Sequence, residues 1–340
     1  MHIGKNYSFK EVILWTRRDI YTLLIISTIP TVLYVFFHWK WMALPWLPIA
    51  LLGTAVAFVV GFKNNASYDR LWESRRIWGS ITNISRSWAI LVRDFVTMQH
   101  AKLPKSETEL KQIHLEIYNR HFAWLTALRY QLRENKPWET INLKHNSEYR
   151  NQWFKVEEQN SLLEDALIPY LSKEEFSEVM SKNNKAAQIL ALQSKHLLKL
   201  LQEGLIEDFR HMELEKLLIE LYNQQGASER IKGFPYPRQF ASLNLWFIKI
   251  FVFLIPFGML QEFEKIGSAY LWLTIPFSVL SGWIFTTMER IGETSENPFE
   301  GSANDVPITS ISRNIEIDML EILEINHDLK PLLATNNILT

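Results

Sequence analysis

Four apolar stretches of about twenty residues constrain this chain more than anything else in it. Residues 20–39, 42–62 and 266–288 contain no Asp, Glu, Lys or Arg, and residues 240–260 contain one, Lys249. Twenty residues of helix reach about 30 Å, the thickness of a bilayer's hydrocarbon core. Only Lys40 and Trp41 separate the first two stretches, and only residues 261–265 separate the last two. The pattern predicts two helical hairpins crossing a membrane. Buried core helices of a soluble protein would not supply four such runs paired by such short loops. Pro30, Pro45, Pro48, Pro256 and Pro276 fall within the runs. Proline is better tolerated in membrane helices than in soluble ones.

The stretch between the hairpins is different. From 63 to 237 no uncharged run approaches twenty residues, and apolar side chains recur every three or four positions, as in 186–209. This is amphipathic helix. The expected loops lie at 103–107, 135–139 and 144–152. A tail from 290 to 340 is rich in Ser, Asn and Glu, with a helix expected near 314–326. The fold class expected is an all-α membrane protein. It divides into an N-terminal segment (1–19), hairpin 1 (20–62), a cytosolic helical domain (63–237), hairpin 2 (238–289) and a C-terminal tail (290–340). Arg17, Arg18, Lys63, Arg70, Arg75, Arg76, Arg230, Lys232, Arg238 and Arg290 flank the spans on one side; the hairpin loops hold only Lys40 and Lys265. The positive-inside rule therefore puts both termini and the middle domain in the cytoplasm. No signal-peptide pattern precedes the first span.

Several functions lose support. The 36 Lys and Arg against 37 Asp and Glu give no basic surface for nucleic acid. Without cysteine there are no disulfides or thiolate metal sites. No phosphate-cradling glycine loop and no nucleophile elbow is present. His114 and His121 lie two helical turns apart and Glu116 points elsewhere, so a shared metal is disfavoured. The adjacent acids Glu164–Asp165 and Glu207–Asp208 do not face each other on a helix. Neither a cofactor, a metal nor an enzymatic role is expected.

Two intramembrane features remain. Leu47, Leu51 and Ala55 recur every four residues on one face of the second span, among the small residues Ala50, Gly53, Thr54 and Ala57. Spacing alone favours ordinary helix packing. Lys249 lies mid-span, where charge is costly, and should face the protein interior or water, or reach a carbonyl or an acid.

At this point the motifs bear on a family. GFKNNASYDRLWESRRIWG (61–79) after the second span, ERIKGFPYPRQF (229–240) before the third and ENPFEGSANDVP (296–307) after the fourth resemble those of the bacterial bestrophins. The resemblance spans nearly the whole chain. It implies a homopentameric ion channel, each subunit meeting copies of itself and lipid, with one central pore lined by the second span. The stripe then becomes an apolar neck at Leu47, Leu51 and Ala55, with Phe58 as an alternative constriction. It further implies a cytosolic aperture at Phe209, or Ile206 one turn away, flanked by Glu207, Asp208 and Arg210. Animal members carry a calcium clasp after the NPF motif. Here only Glu300 and Asp305 are acidic, with Asn304 neutral, so the clasp is depleted and no calcium gating is expected. NPF is left to hold the tail against a neighbouring subunit. Bacterial members lacking the clasp pass monovalent cations, which implies sodium or potassium. A chloride channel of the same architecture, or a carrier without a continuous pore, is the alternative. A membrane-anchored enzyme is a weaker rival, for want of a convergent polar site.

Overall fold

The computed structural model describes residues 1–340 and is all-helical. Eleven α-helices follow in order: α1 Phe9–Phe37, α2 Trp46–Phe95, α3 Glu107–Arg133, α4 Lys144–Trp153, α5 Leu163–Leu167, α6 Lys173–Met180, α7 Lys185–Gln202, α8 Asp208–Gly233, α9 Arg238–Ile266, α10 Thr274–Ser295 and α11 Ile308–Ile322. Four of them, α1, α2, α9 and α10, are long and apolar enough to cross a membrane. Local chemistry sets the starts. Ser8 and Glu11 form a capping box at α1, as do Ser106 with Glu109 at α3 and Ser172 with Glu175 at α6.

Helix α2 does not end with its span. Its 50 residues, about 75 Å of helix, run from the apolar layer deep into the helical domain of residues 63–237. The boundary expected between 62 and 63 is therefore a change of surroundings within one helix. Likewise α1 begins at Phe9, eleven residues before its apolar run. Pro48 and Pro276 sit in the first turns of α2 and α10, where no helical N–H is lost, and neither breaks its helix. Residues 144–152, expected as loop, form most of α4, and the C-terminal helix starts at Ile308 rather than near 314.

In the membrane layer α9 packs on α2 and α10, and α1 packs on α10 and α9. The core there is narrow: Leu23, Ile49, Val56, Val60, Ile248, Phe251, Val252 and Ile255. Gly53 lets the Phe251 ring in, because a Cβ at that position would meet ring carbons at 2.7 Å. Large apolar side chains such as Ile25, Phe36, Phe58, Phe253 and Ile284 are left exposed, as expected of surfaces that meet lipid or another subunit.

The main core lies outside the apolar spans. The lower half of α2, with α3, α7, α8 and α11, encloses Trp78, Trp88 and Trp124, all fully buried. The NPF motif belongs to this core. Phe299, at φ 72°, is fully buried and lies 6.5 Å from Trp78, ring centre to ring centre. The motif thus anchors the tail inside its own subunit, and α11 packs on α2 and α3 beyond it. Truncating Phe299 to Ala should cost roughly 3–5 kcal/mol of stability. Denaturant unfolding of the purified protein measures this, and a loss under 1 kcal/mol would contradict the anchoring role.

Candidate ion conduit

One face of α2 has nothing packed on it from its own chain. Ile49, Gly53, Val56 and Val60 turn toward α9 and α10. The opposite face presents Leu47, 81% exposed, and Leu51, 72% exposed, with Ala55, Phe58 and Phe62 also exposed. The rings of Phe58 and Phe62 lie 5.4 Å apart. The neck candidates Leu47, Leu51 and Ala55 therefore share a free apolar face, and two phenylalanines extend it toward the helical domain.

The face continues below the membrane with its chemistry changed. Ala55, Phe62, Asp69, Arg76 and Asn83 follow at seven-residue intervals and are all exposed. Seven residues are close to two turns, so these side chains form one row. Asp69 and Arg76 are both exposed and form no ion pair within the chain. They stand about 10 Å apart along the helix.

The aperture candidates separate sharply. Helix α7 ends in a Schellman motif: Leu205 N donates to Leu200 O at 2.9 Å and Gly204 N to Leu201 O at 3.0 Å. Gly204 is at φ 77°, and a Cβ there would lie 2.2 Å from His100 O. This turn ends the amphipathic pattern of 186–209 and redirects the chain. It drives Ile206 into the core at 3% exposure and leaves Phe209, at the start of α8, 84% exposed. Ile206 is thus unavailable to an aperture. Among the flanking charges, Glu207 pairs with His100 at 3.0 Å and Arg210 at 3.1 Å, and Arg210 lies over the Phe95 ring. Asp208 alone has no ion-pair partner; it sits in the first turn of α8, where the helix dipole favours an acid.

Of the surroundings expected for Lys249, the chain itself supplies neither an acid nor a carbonyl. The side chain faces outward from α9, and its ammonium lies 5.4 Å from the Trp246 ring centre. The contact is of the cation–π kind.

The charge that organises the site was read only as a marker of orientation. Lys63, 2% exposed in its side chain, is buried between Glu289, which accepts its hydrogen bond, and Glu296 at 3.5 Å. Arg238 reaches Glu296 at 3.2 Å, and Arg70 donates to Glu296 O, Ile231 O and Phe234 O. Lys63 is the first charge after the second apolar run and Glu289 the first after the fourth. Equal depth in the membrane was the signal that could have paired them.

Next to this hub lies the depleted clasp. The Asp305 carboxylate accepts from Phe299 N (2.9 Å), Gly301 N (2.7 Å), Val306 N (2.7 Å) and Arg133 Nη1 (2.7 Å). Glu300 is buried against Thr140, and burial pushes its carboxyl well above the usual range. His114 bonds Val96 O and His121 bonds Ser85 Oγ, each at 2.9 Å. Burial lowers His121 to about 3, so it stays neutral. No three His, Asp or Glu side chains are placed to share a metal ion.

The family model described as Bacterial/Fungal Bestrophin protein matches residues 10–321. The chain belongs to this bestrophin family, a family of ion channels. The protein of Escherichia coli K12 called voltage-dependent anion channel-forming protein YneE is 27% identical over 274 residues, covering 81% of this chain and 75% of that one. The similarly named protein RSc3414 of Ralstonia nicotianae is 28% identical over 269 residues, covering 79% and 74%. Among solved structures, a bacterial bestrophin homologue from Klebsiella pneumoniae has a TM-score of 0.74 at 22% identity, covering 92% of this chain and 99% of that one. That likeness shows a shared fold. A bestrophin is a membrane channel and not an enzyme, which agrees with the want of a catalytic constellation in the sequence.

The hub gives a test of the bestrophin fold's energetics. Lys63→Met strands two buried carboxylates and should cost roughly 3–5 kcal/mol, whereas Lys63→Met with Glu289→Met should recover most of that loss. Unfolding of both variants measures it. Equal losses in the single and double variants would show that the pair is not coupled.

Proposed function

We propose that five copies of this bestrophin assemble around one axis with the free face of α2 turned inward, and that the channel passes monovalent anions. The observation that carries the proposal is the exposed row on α2, apolar through the membrane and polar below it. Leu47, Leu51 and Ala55 form the neck, extended by Phe58 and Phe62, where apolar walls gate by dewetting. Five Phe209 side chains form the cytosolic aperture. Both termini and the α2–α8 domain lie in the cytoplasm, at the bacterial inner membrane, as the Lys and Arg bias supports.

The names of the relatives in Escherichia coli and Ralstonia favour anions over the sodium or potassium first expected. An apolar neck has no preference of its own, so the sign must come from charges near its ends. Arg76 supplies five positive charges to the conduit. The cation reading keeps one specific support: Asp69 is closer to the neck than Arg76 and, like Asp208, is unpaired. The two rings are about a Debye length apart at physiological salt, so each acts on the ion nearest it.

Single-channel recording in planar bilayers under a NaCl gradient decides the sign. A reversal potential near that of chloride is expected, and one near that of sodium would overturn the anion reading. Asp69→Asn should shift reversal further toward chloride, and Arg76→Gln toward sodium. If neither moves it, the α2 row does not face the conduit.

Calcium gating is not part of the proposal. Asp305 already holds four donors, one of them the Arg133 guanidinium, and a calcium ion would need six to eight oxygens and several free carboxylates. Titrating calcium to millimolar levels should leave the currents unchanged; activation at micromolar calcium would contradict this.

A further inference from the structure

A cavity of about 350 Å³ lies where α1 and α10 leave the membrane, bounded on the cytosolic side by α4 and the 302–304 turn. Its volume is at the small end of the range for ligand sites, suited to one chain rather than two. Val12, Trp15, Ile141, Phe154 and Ile291 make its walls mostly apolar. Two hydroxyls among the lining residues, on Tyr149 and Thr287, are buried without a hydrogen-bond partner. Buried hydroxyls left unpaired are costly, which points to a missing occupant with a polar atom.

The charges around the cavity narrow that occupant. Arg150 lines it and donates one hydrogen bond, from Nη1 to Gln159 Oε1 at 3.0 Å, leaving its other N–H groups without an acceptor. Burial lowers this guanidinium below its ordinary value, a penalty that an anion beside it would relieve. The only carboxylate in the lining, Glu11, is turned to the Ser8 N–H at 2.6 Å in the α1 capping box. The level is that of a membrane surface: Trp15 lies five residues before the first apolar run, and Thr287 lies in the last turn of the fourth. Amphiphiles concentrate there.

We propose that this cavity binds a medium-chain fatty acid, its carboxylate on Arg150 and the Tyr149 hydroxyl and its chain against Trp15 and Ile291. The site is separate from the conduit and does not depend on which ion passes. A planar anion on a guanidinium makes paired, charge-assisted hydrogen bonds, and the apolar walls take the chain. The same walls include Ser302 and Asn304, in the stretch that carries Asp305, so an occupant would touch the loop that ties the tail to the core.

Photolabelling tests this on the full chain in lipid nanodiscs. A diazirine-bearing decanoic acid should mark Val12, Trp15 or Ile291, located by mass spectrometry, and excess decanoate should remove the label. Ile291→Trp, which fills the cavity, should cut labelling at these positions at least tenfold. Arg150→Gln should weaken competition by decanoate roughly tenfold, the effect of losing one charge-assisted bond. With the unaltered protein, methyl decanoate should compete far less well than the acid. Label confined to lipid-facing side chains such as Ile25 and Phe253, or equal competition by ester and acid, would overturn the proposal.

Discussion

A lysine ammonium buried between two glutamates holds the two halves of this molecule in register. Lys63 sits where α2 leaves the hydrocarbon, and Glu289 and Glu296 bring the end of α10 and the NPF loop to it. Removing three charges from water is expensive, and only close pairing offsets that cost. The arrangement is therefore specific: α2 and α10 cannot slide past each other without exposing an unpaired charge to an apolar surround. Arg70 and Arg238 extend the same network to the end of α8 and the start of α9.

That fixed point gives α2 its two-sided character. One side is committed to α9, through the close approach at Gly53, and lower down to the tryptophan-rich core. The other side is committed to nothing in its own chain over its whole length. A 50-residue helix so divided can carry one row of side chains from an apolar zone to a charged one without a break. Continuity of the helix makes continuity of the proposed conduit possible. At the far end the Gly204 turn does the comparable work for Phe209, since it aims one side chain outward by burying its neighbour Ile206.

The four spans, the orientation bias and the helical middle were legible because hydrophobicity and charge act locally along a sequence. The free face of α2 was legible as a periodic stripe, though not as a conduit: Leu51 in a packed interface and Leu51 on an open face have the same spacing. What the sequence hid depends on three-dimensional meeting points. Lys63 finds Glu289 across 226 positions, and Phe299 finds Trp78 in its own subunit. Residues 144–152, polar and without strong apolar periodicity, looked like loop and fold as α4 because α1 packs on them and Arg17 and Arg18 reach Glu148. Ile206, the alternative to Phe209, is not one helical turn from it: it lies in the turn between α7 and α8, and that turn buries it.

The central claim is that the exposed row of α2 faces the ions, and the chain offers a clean test because it contains no cysteine. Single cysteines at Leu51, Asp69 and, as a control on the outer face of α9, Phe253 can be modified with a charged thiol reagent during single-channel recording. Modification at positions 51 and 69 should change the conductance at once, while position 253 should leave it unchanged. Unchanged current at 51 and 69 after complete modification would contradict the account.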